Sequence, residues 1–367
     1  MNLSVVSDFF KDISSFLGSS RALGIDIGTS SIKLVEIAKK GENFLLENYA
    51  FLESKGYLER SNEAIQTSSL LMVEKEVIKL LEILLSQITL KTKTVVVSVP
   101  AFMSFIVPIE IPLLSPKETA KVINFQARQY IPMPIDKASI DWLKVEEFEN
   151  QKGQSFQRII LIAFPNDIVK KYKKIFKAVG LKLAAIEVEH FSLVRSLLSP
   201  KDPITMIVDL GAESTSVAII EKGTLRYTGQ TDHGGVTLTK SVARSLEISS
   251  LRAEELKRRR GILEIEGGEY ELSTLILPFL DVIIQEVMRI QAVYEKNYQK
   301  KVEQLILVGG GANLLGIDKY FSRQIGLSVF QPRLFSRIKY PNEIEPIIKA
   351  LNHDLALASG LALKRFL

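Results

Sequence analysis

The sequence predicts an α/β protein built from two related lobes with a ligand cleft between them. Its 367 residues exceed what one hydrophobic core usually serves, so two lobes are expected. Hydrophobic residues make up 46% of the chain and charged residues 24%, a balance typical of a globular protein. A strand–turn–strand pattern occurs twice, around residues 26 and 209, which indicates a duplicated unit.

The composition argues against several other classes of protein. Basic residues number 47 against 42 acidic ones, a small excess that does not indicate a nucleic acid partner. The chain has no cysteine and only three histidines, so neither a disulfide framework nor a structural zinc site is expected. The most apolar stretch, 95–112, is interrupted by Pro100, Pro108 and Glu110, and it predicts strands rather than a bilayer span.

Residues 1–21 predict one amphipathic helix, because apolar side chains recur every three or four positions from Leu3 to Leu17. This helix either packs on the body of the protein or lies on an anionic membrane surface through residues 3–17. Basic clusters at 170–177 and 252–260 are either solvated helix faces or sites that attract lipid headgroups.

The first candidate phosphate-binding turn lies at 26–33. Glycine allows the chain to turn tightly, so that backbone amides and small hydroxyls converge on phosphate oxygens. Asp26 would repel bare phosphate, but it suits a site in which Mg²⁺ lies between them. The expected phosphate contacts are Gly28, Thr29, Ser30, Ser31 and Lys33.

The second candidate turn, 209–215, repeats the first at a constant offset. Asp209, Gly211 and Ser214 stand where Asp26, Gly28 and Ser31 stand in the first copy. Two such turns facing each other would hold a nucleotide's phosphates from both sides, and the two aspartates would share the metal. The expected contacts from this turn are Gly211, Ala212, Glu213, Ser214 and Thr215.

A third turn, 308–313, joins a strand to a helix and contains three consecutive glycines. Such a turn permits close backbone approach to a flat or anionic ligand. It matches neither the Walker A pattern nor the dinucleotide fingerprint. The expected contacts are Gly309, Gly310, Gly311 and Asn313.

Three turns in this order resemble the actin, heat-shock chaperone and sugar kinase superfamily. The resemblance implies a nucleotide between two lobes, each built on a sheet of the ribonuclease H type. It also implies that Glu254 and Lys257 hold the ribose and adenine; the alternative is an exposed ion pair. Glu189 resembles the carboxylate that orients the attacking water in bacterial relatives, and the alternative is a carboxylate that complements a helix dipole.

Narrower motifs resemble the PilM family of type IV pilus assembly proteins, which is related to FtsA. They are Leu23–Ile37, Ile111–Ser115, Gln129–Pro134 with Asp141, His233–Gly235 with Leu238-Thr239, and Val308–Leu315. The resemblance covers about residues 22–367 and implies an actin-like two-lobed ATPase fold with ribonuclease H-like subdomains and an inserted subdomain. The expected organisation is a first lobe of 22–100, 166–202 and 350–367, an insertion at 101–165, and a second lobe of 203–349 with its outer part at about 246–301.

The resemblance implies a cytoplasmic adaptor, peripheral at the inner membrane, with ATP and Mg²⁺ as cofactors and at most slow hydrolysis. Its expected partner is the short cytoplasmic tail of a PilN-like membrane protein, bound in a groove beside the insertion. Phe102, Phe105 and Tyr130 are either groove residues or buried core. The alternatives are a membrane-tethered, filament-forming protein like FtsA and a small-molecule kinase of the same superfamily.

Overall fold

A computed structural model describes residues 20–54, 74–262 and 270–366. The amphipathic segment predicted at 1–21 therefore lies almost wholly outside the described residues. Among the helices in those ranges, none combines the length and the hydrophobicity that a bilayer span requires.

The first lobe is built on a mixed sheet in the order β3-β2-β1-β4-β8. Strand β2 is antiparallel to both β1 and β3, whereas β1, β4 and β8 run parallel. The elements before the insertion are β1 (Arg21–Ile27), β2 (Ser31–Lys40), β3 (Asn43–Glu53), α1 (Glu74–Ser86) and β4 (Thr94–Val99).

The region predicted as an insertion contains a three-stranded antiparallel sheet in the order β5-β7-β6. Its helix begins with a capping box, in which the backbone N–H of Ser115 donates to Glu118 Oε2 at 3.0 Å. The elements are β5 (Phe105–Pro112), α2 (Pro116–Tyr130), β6 (Ala138–Glu149) and β7 (Ser155–Pro165). The chain then returns to the first sheet through α3 (Asn166–Ala178), β8 (Lys182–Val188) and α4 (Glu189–Leu197).

The second lobe repeats the first, since its sheet order β11-β10-β9-β12-β13 has the same connectivity. The duplication that the paired turns predict is therefore confirmed. The elements are β9 (Thr205–Leu210), β10 (Thr215–Glu221), β11 (Thr224–Thr231), α5 (Gly235–Ser245), α6 (Ser250–Arg260), α7 (Tyr270–Tyr298), β12 (Gln304–Val308), α8 (Ile317–Ile325) and β13 (Val329–Phe330).

Helix α7 contains Pro278 in its interior, two turns after its start at Tyr270. An interior proline removes one helical hydrogen bond and crowds the preceding turn. The carbonyl of Leu275 in that turn accepts a hydrogen bond from Ser241 Oγ at 3.1 Å. This contact ties α5 to the turn of α7 that precedes the proline.

The last elements are β14 (Ile338–Lys339), α9 (Ile348–Asp354) and α10 (Ala356–Leu363). Strand β14 pairs with β3, and Leu334, Ile338 and Ile344 pack in one cluster with Val35. The sequence predicts that the chain returns to the first lobe at residue 350. Because β14 extends the first sheet, the chain returns earlier, at about residue 334.

The chain crosses back between the lobes where α9 meets α10. Helix α9 lies against β12, and the ring of His353 contacts the carbonyl of Leu307 at 3.0 Å. Helix α10 instead packs on β1, β2 and α4 of the first lobe. Two glycines permit this packing: a Cβ at Gly24 would lie 2.0 Å from Ala358 O, and one at Gly360 would lie 1.9 Å from Ser192 O.

We expect Gly360→Ala to lower the free energy of unfolding by about 2 kcal/mol, because overpacking costs about 3 kcal/mol and the gain in helix propensity returns about 1. Chemical denaturation of the two proteins measures the difference. The neighbouring Ser359→Ala is the matched control, since the Ser359 hydroxyl is buried without a hydrogen-bond partner in the described structure. A Gly360→Ala protein as stable as the parent would contradict the close approach of α10 and α4.

Candidate nucleotide site

A cavity of about 370 Å³ lies between the lobes, where the central strands β1 and β9 end. Its volume is within the range of roughly 300–1,000 Å³ that small-molecule sites occupy. Residues of all three predicted turns line it, and they come from both lobes. The predicted residues that line it are Asp26, Gly28, Thr29, Ser30, Ser31, Lys33, Glu189, Asp209, Gly211, Ala212, Ser214, Glu254, Lys257, Gly309, Gly310, Gly311 and Asn313.

The two phosphate-type turns have the same backbone geometry. The amide of Gly28 donates to Ser31 O at 2.9 Å, and the amide of Gly211 donates to Ser214 O at 3.0 Å. A Cβ at Gly211 would lie 2.7 Å from Ser214 O, so glycine is required there. The turns are thus mirrored across the cavity.

Two predicted residues of the second turn do not line the cavity. Thr215 is fully buried, and its hydroxyl donates to His233 O at 2.8 Å. The cavity is lined instead by Ser216, the next residue of β10, because successive strand residues point to opposite faces. Glu213 also lies outside the lining.

Lys33 is buried among the carboxylates of the first turn and its surroundings. Its Nζ lies 3.4 Å from Asp26 Oδ2, while Asp26 Oδ1 accepts a hydrogen bond from Ser98 Oγ at 2.8 Å. Burial alone would lower the pKa of Lys33, but the charges of Asp26, Asp354 and Asp209 raise it above its ordinary value. Lys33 therefore stays positively charged in the cleft.

The cleft is rich in acid. Burial, with the nearby charge of Asp26, raises the pKa of Asp209 to about 6 against the opposing effect of Lys33. Burial and the charge of Asp209 raise the pKa of Glu189 to about 8. These carboxylates stand closer together than ionised groups prefer, and a divalent cation would relieve their repulsion.

No group of three or more His, Cys, Asp or Glu residues in the described ranges has an arrangement that could hold a metal by itself. Mg²⁺ commonly binds through one or two carboxylates together with phosphate oxygens and water. Asp26 and Asp209 fit that mode, in which the nucleotide supplies the remaining ligands.

Helix α6 contributes a buried polar cluster to the opposite side of the cavity. Lys257 Nζ lies 2.6 Å from Glu254 Oε2 and donates to Gly235 O at 3.0 Å. Both residues are buried, so the exposed ion pair considered from the sequence is wrong. Burial opposes ionisation of Glu254, but Lys257 and Thr239 lower its pKa below the ordinary value.

Arg258 joins the two lobes across the mouth of this cavity. Its Nε donates to Glu254 Oε1 at 2.7 Å, and its Nη2 donates to Glu53 Oε1 at 2.6 Å, at the end of β3 in the first lobe. The sequence predicts Arg258 only as part of a basic helix face and does not indicate this role. Its position directly after Lys257 was the available signal.

The glycine-rich turn packs against the second phosphate-type turn. Gly309 has φ +82°, and a Cβ there would lie 2.2 Å from Asp209 Oδ1. Asn313 Nδ2 donates to both carboxylate oxygens of Asp354 at 3.3 Å. Asp354 is not among the site residues predicted from the sequence, although an acidic residue directly before the apolar run 355–363 is a usable signal.

This arrangement, two duplicated lobes around a cleft with three converging turns, defines an actin-like protein. A family model described as "Type IV pilus assembly protein PilM" matches residues 24–366. The chain belongs to that family, so both the fold class and the family resemblance predicted from the sequence are confirmed.

Solved structures share this fold. The PilM-PilN type IV pilus biogenesis complex superposes with a TM-score of 0.79 at 23% identity, covering 94% of this chain and 98% of the other. EutJ, an ethanolamine utilization protein from Carboxydothermus hydrogenoformans, gives 0.55 at 17% identity, covering 95% and 90%. MreB5 of Spiroplasma citri bound to AMPPNP gives 0.51 at 12% identity, covering 94% and 95%.

Curated sequences also match. The cell division protein FtsA of Streptococcus pneumoniae is 22% identical over 375 residues, covering 91% of this chain and 79% of FtsA. FtsA of Neisseria meningitidis is 24% identical over 240 residues, covering 58% and 57%.

Proposed function

We propose that this chain is an ATP-binding cytoplasmic adaptor of a type IV pilus assembly platform, in which the nucleotide controls closure of the lobes. It binds the short cytoplasmic tail of a PilN-like membrane protein and lies at the inner membrane, with residues 3–17 on the bilayer surface. The observation that carries the proposal is the pair of mirrored turns facing one cavity. The fold of an AMPPNP-bound MreB5 structure supports it.

Each part of the cavity suits a different part of MgATP. Backbone amides and hydroxyls of the two turns face the phosphates, and Lys33 adds a fixed positive charge. When bound, Mg²⁺ would neutralise phosphate charge between Asp26 and Asp209. Glu254 and Lys257 lie on the nucleoside side, beside the glycine-rich turn.

We propose that hydrolysis is slow. Glu189 begins α4 and lines the cavity, where it is placed to orient a water molecule. ATP then acts chiefly by favouring the closed arrangement of the lobes, for which differential affinity is sufficient. Phosphate release by the parent protein and by Glu189→Gln measures this turnover.

The tail site is proposed beside the inserted subdomain. The complex with a TM-score of 0.79 is titled a PilM-PilN complex, and an extended peptide gains both main-chain hydrogen bonds and side-chain pockets in such a groove. Of the three aromatic candidates, Phe102 lines the nucleotide cavity and Phe105 packs in the core of the insertion. Tyr130 is 42% exposed and stays a candidate for tail contact.

The test is titration of the full chain with a synthetic N-terminal tail peptide of the PilN partner, with and without MgATP. We expect MgATP to tighten peptide binding by about tenfold, a coupling typical of two-state proteins. By reciprocity the peptide should tighten MgATP binding by the same factor. A scrambled peptide is the control, and absence of peptide binding in both states would remove the adaptor function.

A further inference from the structure

The edge of the first sheet opposite the nucleotide cavity carries the start of every parallel strand. Because β1, β4 and β8 are parallel, their first residues share one edge and their last residues face the cleft. Helix α3 returns to β8 through a short loop, so its C-terminal end lies at the same edge. We call this surface the base edge and define it by residues 20–21, 39–47, 91–94, 173–177 and 182.

Hydrogen bonds and ion pairs tie the base edge into one row. The amide of Lys39 donates to Ser20 O at 2.7 Å. Glu47 pairs with Arg21 at 2.7 Å and with Lys91 at 3.1 Å. The amide of Lys182 donates to Lys93 O at 2.8 Å, which continues the row to the start of β8.

This edge is strongly basic. In the described part of the chain, Lys93, Lys173 and Lys177 form no ion pair with a carboxylate. Of the nearby acids, Glu47 is already engaged by two cations, and Glu42 lies in the turn after β2. Glu36 is buried and accepts hydrogen bonds from the amides of Lys91 and Thr92. The exposed lysines of the edge are Lys40, Lys91, Lys93, Lys173, Lys174, Lys177 and Lys182, of which Lys174 pairs with Glu74 at 2.7 Å.

Charge is therefore segregated along the strand direction. The cleft end of the same sheet carries Asp26 and Glu189, with Asp209 facing them from the second lobe. The chain also enters the sheet at the base edge, through Ser20 and Arg21. The sequence just before that entry has apolar residues at helical spacing from Leu3 to Leu17.

We propose that the base edge is the surface that lies against an anionic phospholipid bilayer. Exposed lysines on a sheet edge and on the adjoining helix α3 attract anionic headgroups within about one Debye length, roughly 10 Å. The adjoining apolar sequence supplies the second signal that stable peripheral binding requires. The nucleotide cleft, at the opposite end of the sheet, then opens away from the membrane.

This inference extends the proposed membrane location and does not use the nucleotide or tail site. The test is binding of the full chain to phosphatidylcholine vesicles with and without phosphatidylglycerol, measured by flotation. We expect the triple variant Lys93→Gln, Lys173→Gln, Lys177→Gln to bind the anionic vesicles on the order of 100-fold more weakly. The matched control is Lys152→Gln, Lys296→Gln, Lys319→Gln, which removes three exposed lysines elsewhere and should change binding less than about threefold.

Parental binding should also fall steeply with added salt, because exposed charges are screened. Equal binding of the two triple variants would overturn the inference, as would equal binding to neutral vesicles. Tighter binding to duplex DNA than to anionic vesicles would overturn it too. MgATP and tail-peptide titrations of the same variants should match the parent protein, so a failure of the adaptor function would appear separately.

Discussion

We expect Gly309→Ala to weaken MgATP binding at least about 100-fold, equivalent to about 3 kcal/mol. The added Cβ would lie 2.2 Å from Asp209 Oδ1 and 2.8 Å from Leu210 O, so it would displace a proposed metal ligand and the turn that holds it. A side chain at φ +82° is strained in addition. Titration calorimetry with MgATP measures the loss.

The adjacent glycine provides a matched control. A Cβ at Gly310 would meet no atom within 4 Å, so Gly310→Ala should keep the thermal stability of the parent protein. We expect it to lose less than about tenfold in MgATP affinity. If both variants bound MgATP as tightly as the parent protein does, the cavity would not be the nucleotide site.

We expect acid to destabilise the protein through His190, at the start of α4. This side chain is 1% exposed, and neither ring nitrogen has a hydrogen-bond partner in the described structure. Burial lowers the pKa of His190 to about 4 from its ordinary 6.5. Between these pH values the unfolded chain binds a proton that the folded protein excludes, so stability falls as pH falls from 6.5 to about 4.

The size of this loss is about 3 kcal/mol, because one pKa unit corresponds to about 1.4 kcal/mol. The contribution is fully present above pH 6.5 and is lost progressively below it. Urea denaturation at several pH values measures it. The variant His190→Leu, of similar size but without a titrating group, should show a flatter dependence in this window, and an unchanged slope would contradict the assignment.

The phosphate-type turns could be predicted from the sequence because their chemistry is local. Asp26 and Gly28 stand close together in the chain, and the same pattern returns at Asp209 and Gly211. A glycine in a tight turn after a buried strand constrains the backbone directly. The two turns share one backbone geometry, in which the amide of Gly28 donates to Ser31 O and the amide of Gly211 donates to Ser214 O. This geometry follows from the repeated sequence pattern.

It was harder to predict from the sequence which residue at the end of the second turn faces the cavity. The sequence selected Thr215, but Ser216 lines the cavity and Thr215 is buried. The phase of strand β10 decides which of two neighbouring residues faces the ligand. That phase is set by pairing with β9, where Ser216 lies opposite Asp209.

The sequence by itself determined the duplicated α/β lobes, the three turns and membership of the PilM family. These features depend on residues that are close together in the chain, so they do not require knowledge of long-range contacts. Only the tertiary structure decided that Asp354 and Arg258 reach the cleft and that lysines just before β4, on α3 and at the start of β8 form one basic edge. Such neighbours are far apart in the chain. Long-range packing and strand order, rather than local propensity, bring them together.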